Sequence, residues 1–366
     1  MRTVAAVTDT YLPTVNGVSY TVRTWRERWR RRGGEMPVVY PATDARSPDP
    51  GECPVSSVPF PFYTGFRLAA PTVPDSIRER DPDVVHAHTP FALGIAGRRL
   101  AAALEVPFVV SYHTPAGEYA GYLSDALEVP IRRVADGYER WFLSGADAVI
   151  APSRDAAESL RARGTPTHVV SNGVDTERFR PVDDGTVRAF ERRHGLPDRP
   201  LIGYTGRHGY EKRLGDVLDA TAGVDAAVVF AGDGPARPHL ERRASGRDDV
   251  SFLGFLDRSE LPAFYTALDA FAFPSPVETQ GLVALEAIAC GTPVVAAAAG
   301  ALTETVTDGE TGTHFPSGDT AAFEGAIERA LGASERLPTR LEERRRRLCV
   351  ERSIDDLEAV YESVLE

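Results

Sequence analysis

Short apolar runs alternate with longer segments of helical period along almost the whole chain. That rhythm restricts the fold more than any other feature. Candidate strands lie at 3–8, 36–40, 83–87, 107–111, 147–150 and 167–170, with helical patterns between them at 19–32, 92–104, 125–143 and 153–163. Each run holds at least two consecutive apolar residues without alternation, as strands covered on both faces do. Strands separated by helices pair in parallel, so the pattern describes a sheet covered by helices. The rhythm then restarts, with strands at 201–205, 226–231, 250–253, 270–273, 293–297 and 312–315 and helices at 213–222, 235–244, 258–267, 281–289 and 320–332. The interruption falls around 178–200, where RFRPVDDG and GLPDRP carry turn residues and charge. A charged helix at 338–348 and a last one at 353–365 follow. A chain of 366 residues exceeds one comfortable core. The expected fold is α/β: two doubly wound, Rossmann-like domains, 1–180 and 181–352, that face one another.

Charge and composition narrow the function. The formal net charge is −12, which argues against a nucleic-acid partner. Of the 41 basic residues other than histidine, Lys212 is the only lysine. An acidic, lysine-poor surface suits solubility at high salt, and a GC-rich coding sequence would also replace lysine with arginine. Cys53, Cys290 and Cys349 form neither a zinc spacing nor a disulfide framework, so a reducing cytoplasm is expected. The opening MRTVAAVTDTYLP reads as a first strand rather than a cleavable signal. No run approaches the ~20 apolar residues of a spanning helix.

Ligands of doubly wound sheets sit outside the carboxyl ends of the strands, so chemistry is sought just after them. Neither domain has a GxGxxG fingerprint after its first strand, which disfavours a nicotinamide dinucleotide. After strand 201–205 come Gly206, Arg207, Gly209 and Lys212, two glycines for a tight turn and two cations suited to a diphosphate. Incidental surface charge is the plain alternative, weakened for Lys212 by the rarity of lysine. After strand 270–273 comes PSPVETQGLVALEAIACGTPVVA, where a helix starts at Gly281–Leu282 and stops at Gly291. Its free N–H groups and positive dipole end suit an anion. Glu286 lies among apolar neighbours in that helix and needs a partner, either ribose hydroxyls or an arginine. Glu278, in the preceding loop, could hold sugar hydroxyls.

In the first half, Asn16 and Gly17 start a helix and offer a phosphate site or a plain helix start. His86 and His88 share one strand face, and with His113 they raise a metal cluster, though no carboxylate stands at ligand spacing. Asp81-Pro82-Asp83 has the D-x-D form but precedes a strand, so it reads as a turn. His113 follows strand 107–111 directly, at the ligand edge. The aromatic stretch 59–71, with Arg67, and the Arg-rich amphipathic stretch 131–142 fit either an acceptor wall and lipid surface or ordinary packing.

The E-x7-E pair Glu278 and Glu286, within its block, resembles the signature of retaining glycosyltransferases of family 4, which have the GT-B fold. Further blocks resemble the family in its order: YLPTVNGVSYTV (11–22), DVVHAHTPFALG (83–94), SYHT (111–114), ADAVIAPS (146–153), VVSNGVDTERFRP (169–181), GYTGRHGYEKR (203–213), VVFAGDGP (228–235) and VSFLGFL (250–256). The resemblance implies an acceptor-side first domain, a nucleotide-sugar-binding second domain, a cleft between them, and helix 353–366 packing back on the first domain. It places Arg207 and Lys212 on the donor diphosphate, beside Gly206. It places Glu286 on the ribose, Glu278 on the hexose, and the amides of Thr279, Gln280, Gly281 and Leu282 over the phosphates. Gly254, Phe255 and Leu256 would meet the nucleobase, Asn16 and Gly17 the β-phosphate. His113 would be the active-site histidine, positioning the reactants rather than acting as base. Many members have Phe where Gln280 stands, and ETQGL is similar to a variant found among glycolipid-forming members.

The implied activity is metal-independent, retaining transfer of a hexose from a UDP- or GDP-linked donor, with no further cofactor. The implied acceptor is lipid-linked or membrane-associated, at the inner face of the membrane. A soluble sugar or sugar-phosphate acceptor is the alternative, and an epimerase or phosphorylase of the same fold a more distant one. A pyridoxal-dependent phosphorylase would have to use Lys212 for its Schiff base. A non-enzymatic sugar-binding protein would not require both carboxylates and both cations.

Overall fold

The computed structural model describes residues 2–60, 66–113, 128–332 and 341–366, and side chains throughout these except at 128–132 and 341–343. Residues 61–65 of the aromatic stretch, 125–127 of one expected helix and 338–340 of another lie outside the described residues, as do the side chains of 131 and 132. The described residues fall into two compact units: Met1–Asn172 with Ser353–Glu366, and Gly173–Arg352.

In the first unit the strands are β1 (Val4–Val7), β2 (Val38–Pro41), β3 (Glu52–Val55), β4 (Ser57–Pro59), β5 (Arg67–Ala69), β6 (Val84–Ala87), β7 (Phe108–Ser111), β8 (Ala148–Ala151) and β9 (Thr167–Val169). Seven of them form one parallel sheet in the order β3-β2-β1-β6-β7-β8-β9. β4 and β5 make a separate antiparallel pair. Every residue of β1, β2, β6, β7 and β8 is buried, which explains why these runs are apolar without alternation.

The second unit holds β10 (Leu201–Thr205), β11 (Ala227–Ala231), β12 (Val250–Gly254), β13 (Ala270–Phe273), β14 (Val294–Ala297) and β15 (Gly312–Phe315). They form a parallel sheet in the order β12-β11-β10-β13-β14-β15. Phe230, Phe264, Tyr265, Phe271 and Phe273 fill its core with almost no exposure. In both sheets the winding runs outward from the first strand and then reverses, between β1 and β6 and between β10 and β13. Those reversals are the crevices where such sheets take ligands.

Three features depart from the sequence expectation. β3 and the β4–β5 pair occupy a stretch where no strand was expected, because Pro54 and Pro59 interrupt the apolar pattern; β3 tolerates its proline as an edge strand. A helix, Asp184–His194, forms inside the supposed break, started by the Asp183 side chain, which accepts from the Thr186 N–H. The unit boundary lies at Asn172–Gly173, ahead of 180. Val174 already pairs with Cys349, and Phe179 is fully buried in the second core.

The last helix, Val350–Leu365, seats Tyr361 in the first unit. The Tyr361 ring meets Trp29 edge-on at 5.4 Å, and its hydroxyl lies 2.6 Å from Nδ1 of His86. Arg32 pairs with Asp355 of the same helix at 2.5 Å. Removing the Tyr361 hydroxyl would leave the buried His86 nitrogen unpaired, at a cost of about 1–3 kcal/mol. Tyr361→Phe should therefore lower the thermal transition of the first unit in calorimetry and leave that of the second in place.

Candidate functional site

At the reversal of the second sheet, the loops after β10 and β13 meet through an ion pair. Lys212 Nζ donates to Glu278 Oε1 at 2.7 Å, and both side chains are mostly buried. Lys212 ends a 3₁₀ turn, Tyr210–Lys212, and Arg213 then takes a left-handed conformation (φ 53°). The helix beyond is only Gly215–Ala220, shorter than the 213–222 read from sequence, because this turn takes its start. Arg207, half-buried, lies 3.9 Å from Glu211 in the same loop.

The loop is held by glycines. Gly206 has φ 132°, and its N–H donates to the Ala231 carbonyl at 3.2 Å. A Cβ on Gly232 would stand 2.0 Å from the Gly206 carbonyl oxygen, so the ends of β10 and β11 close on each other at backbone distance. His208, fully buried, completes the contact: its N–H bonds Asp233 O at 2.8 Å, and its carbonyl accepts from Ala236 N at 2.8 Å.

The helix Leu282–Ala289 starts at Gly281 with no side-chain cap. The helix geometry leaves its first N–H groups without intrahelical acceptors. Gly281 has φ 77°, and a Cβ there would lie 2.9 Å from Leu302 and 3.0 Å from Phe273. Packing and backbone conformation therefore both require the glycine. Thr279 is half-buried and Gln280 buried; the Gln280 carbonyl accepts from Thr305 Oγ1 at 2.7 Å.

Glu286 is buried one turn further along. Its Oε1 meets Arg258 at 3.1 Å, and its Oε2 accepts from the Tyr265 hydroxyl at 2.9 Å. Burial raises the Glu286 pKa, opposed by the Arg258 charge and the Tyr265 bond. The arginine partner that sequence left open is thus present, and the second lone pair on each oxygen remains in keeping with a hydroxyl ligand. Arg258 and Tyr265 were not singled out from sequence, since nothing local marks an arginine 28 residues before its glutamate. In the turn after β12, Gly254 has φ 72°, Phe255 is 60% exposed and Leu256 is buried.

At the reversal of the first sheet, Asp9 follows β1 and is buried. It accepts from Thr89 Oγ1 at 2.7 Å and from Leu93 N at 3.0 Å, tying β1 to the helix Ala92–Leu104. Asn16 caps the helix Gly17–Arg31: its Oδ1 accepts from Ser19 N at 2.9 Å, and its amide donates to Thr10 Oγ1 at 2.7 Å. The cap gives Asn16 a structural role, and Gly17 is exposed at the first helical position.

His86, His88 and His113 gather beside Trp25, with His113 Nε2 3.1 Å from His88 Nδ1. Burial lowers the pKa of His86 to about 3 and of His113 to about 4, and pushes His88 well down. All three rings are neutral near pH 7. Among the described residues no group of three or more His, Cys, Asp or Glu side chains is arranged to hold a metal ion. Asp83 accepts the Thr3 N–H at 2.8 Å, fixing the Asp81-Pro82-Asp83 segment as a structural turn ahead of β6.

Residues 15–178 match Glycosyltransferase Family 4, and residues 187–348 match Glycosyl transferases group 1. A GDP-mannose-dependent alpha-mannosyltransferase of Mycobacterium tuberculosis is 35% identical over 86% of this chain and 84% of its own. An alpha-monoglucosyldiacylglycerol synthase of Streptococcus pneumoniae is 31% identical over 79% of this chain and 69% of its own. Among solved structures, sucrose-phosphate synthase from Thermosynechococcus elongatus superposes with a TM-score of 0.79, at 22% identity and 99% coverage of both chains. The chain belongs to glycosyltransferase family 4 and has the GT-B fold of two parallel α/β units.

The neutral histidines carry a pH consequence. Below about 6.5 the unfolded chain takes up protons on His86 and His113 that the folded chain refuses, so stability falls as pH drops toward 4. The urea midpoint of the first unit should decline over that range, and the decline should flatten in a His113→Asn variant.

Proposed function

We propose that this glycosyltransferase moves a hexose from a UDP- or GDP-linked donor to a lipid-linked or membrane-associated acceptor, with retention at the anomeric carbon and no metal ion or cofactor. The observation that carries the reading is the Lys212–Glu278 pair at the sheet reversal, beside Arg207 and the uncapped helix start at Gly281. Charge grows on the leaving diphosphate as the C1–O bond breaks. Two cations and a helix N-terminus at that spot stabilise it more in the transition state than in the ground state. The acceptor oxygen bonds C1 on the face the phosphate leaves, and its proton passes to the departing phosphate oxygen. Glu278 holds hexose hydroxyls, Glu286 the ribose, and Phe255 lies against the base with Gly254 and Leu256. The amides from Thr279 to Leu282 cover the phosphates, Asn16 and Gly17 approach the β-phosphate, and His113 orients the reactants.

The relative named GDP-mannose-dependent supports a guanosine donor, and the one named for a glucosyldiacylglycerol supports a lipid acceptor. So does the helix Glu128–Leu143. Val134 is 73% and Trp141 51% exposed on it, Arg133 and Arg140 are exposed beside them, and the Arg98 guanidinium lies 4.9 Å over the Trp141 ring. Such a mix of apolar and cationic groups suits an anionic lipid surface. No helix among the described residues is long and apolar enough to cross a membrane, so the contact proposed is peripheral.

Lys212→Ala should reduce turnover well over tenfold, since the charge it removes is worth roughly 2–4 kcal/mol in the transition state. A thermal-shift series with UDP, GDP and ADP sugars identifies the donor, and radiolabelled transfer from that donor measures the loss. Near-normal kinetics in the folded variant would refute the role. The wild-type protein should co-sediment with vesicles containing phosphatidylglycerol, and Trp141→Ser should weaken that binding. Absence of binding at every anionic content, with transfer to a soluble sugar, would overturn the lipid acceptor.

A further inference from the structure

His113 is tied to a second histidine at the edge of the first sheet. The rings of His88 and His113 stack within 17° of parallel, centroids 5.4 Å apart, with His88 Nδ1 3.1 Å from His113 Nε2. Behind them, His86 lies 4.1 Å from His88 and is bonded at both nitrogens, Nδ1 to the Tyr361 hydroxyl at 2.6 Å and Nε2 to Ser111 Oγ at 2.8 Å. His88 is buried, and among the described residues its Nε2 has no hydrogen-bond partner.

Only one proton occupies the bond between the two rings. Were it to come from His113 Nε2, a neutral His88 would have to carry its own proton on Nε2, as a buried N–H without an acceptor. Such orphan donors are rare in folded proteins. The Trp25 ring, 5.9 Å away between centroids, offers that N–H a weak contact with the π face at most. With the proton on His88 Nδ1 instead, Nε2 carries only a lone pair and His88 strands no donor. His113 then keeps its own proton on Nδ1. Burial keeps the rings neutral, so no additional proton relieves the choice.

We propose that His88 is a positioning residue for His113: its Nδ1–H donates to Nε2 of His113, holding that ring in one plane and in the Nδ1–H tautomer. The assignment has a chemical consequence, which rests on the reading of His113 as an active-site residue. The only basic lone pair of His113 is spent on His88. The ring therefore has no lone pair left with which to act toward a substrate as a general base. The acceptor proton must go elsewhere, which agrees with its transfer to the leaving phosphate.

Long-range proton–nitrogen correlation spectra of the histidine-labelled protein read the tautomer directly and need no substrate. His113, assigned by comparison with a His113→Gln variant, should show a protonated Nδ1 and an unprotonated Nε2. The opposite pattern would overturn the proposal. Kinetics give a second reading. His88→Asn sets an amide N–H near the place of Nδ1–H and should keep kcat within a few-fold, whereas His88→Leu should lower kcat about tenfold or more with little change in donor KM. Equal loss in the two variants, or loss in neither, would count against the positioning role. A His113→Ala enzyme of unchanged activity would sink the active-site reading, and with it the kinetic role of His88, while the spectrum still decides the tautomer.

Discussion

Parallel strands deliver their carboxyl ends to one edge of a sheet, and in the second unit the winding order reverses at that edge between β10 and β13. The loops after these two strands therefore diverge to opposite sides, leaving a crevice that no strand crosses. Residues 66 positions apart meet there through the Lys212–Glu278 ion pair at 2.7 Å. Mostly buried, that pair is desolvated, so neither partner is stable there alone; removing one leaves an uncompensated charge. The site is assembled by topology, and the ion pair marks where the two loops come together.

Backbone closeness on one side of the crevice makes the loop after β10 a rigid support. The Gly206 and Gly232 turns lie so close that a side chain on either would collide or strain: φ is 132° and 108°, and a Cβ on Gly232 has no space. The bonds from Gly206 N to Ala231 O, His208 N to Asp233 O and Ala236 N to His208 O fasten the two turns together. Arg207 and Lys212 project from a backbone already fixed, so the proposed binding of an anion there would cost little ordering entropy. The first unit uses side chains to the same end, with Asp9 bonded to Thr89 and Leu93 across its own reversal.

The consecutive apolar residues without alternation made the parallel strands legible, because burial on both faces leaves a trace in sequence. β3 left no such trace: an edge strand with Glu52 and Pro54 in it satisfies its ladder on one side only. The helix Asp184–His194 was hidden by its own cap, since an Asp-Asp-Gly segment reads as a turn until the Asp183 side chain is seen holding Thr186 N. At the candidate site, the placement of Arg207, Lys212, Glu278 and Gly281 was legible because each follows a strand or starts a helix. Arg258, Tyr265 and the pairing of His88 with His113 were not, for these are contacts between elements whose facing is set by packing. Gly281 was legible as the glycine at a helix start; its positive φ and the nearness of Leu302 and Phe273 supply a packing reason that sequence does not show.

The two glutamates of the E-x7-E pair are held by different cations, and the difference bears on why one lysine persists among forty arginines. Glu286 is buried and meets Arg258, whose guanidinium also lies 4.9 Å over the Phe179 ring. A planar, weakly hydrated, permanently charged group suits a static buried pair. Its partner Tyr265 takes the other oxygen, so the carboxylate is fixed in plane. Glu278 has instead a compact ammonium on a flexible stem. Three rotatable donors let Lys212 keep Glu278 while its ammonium turns toward a second acceptor. An arginine there would present its fork to the carboxylate in two parallel bonds and would be held by both. On the proposed reading, in which that one cation also meets an arriving diphosphate, arginine, tolerated elsewhere, would not substitute.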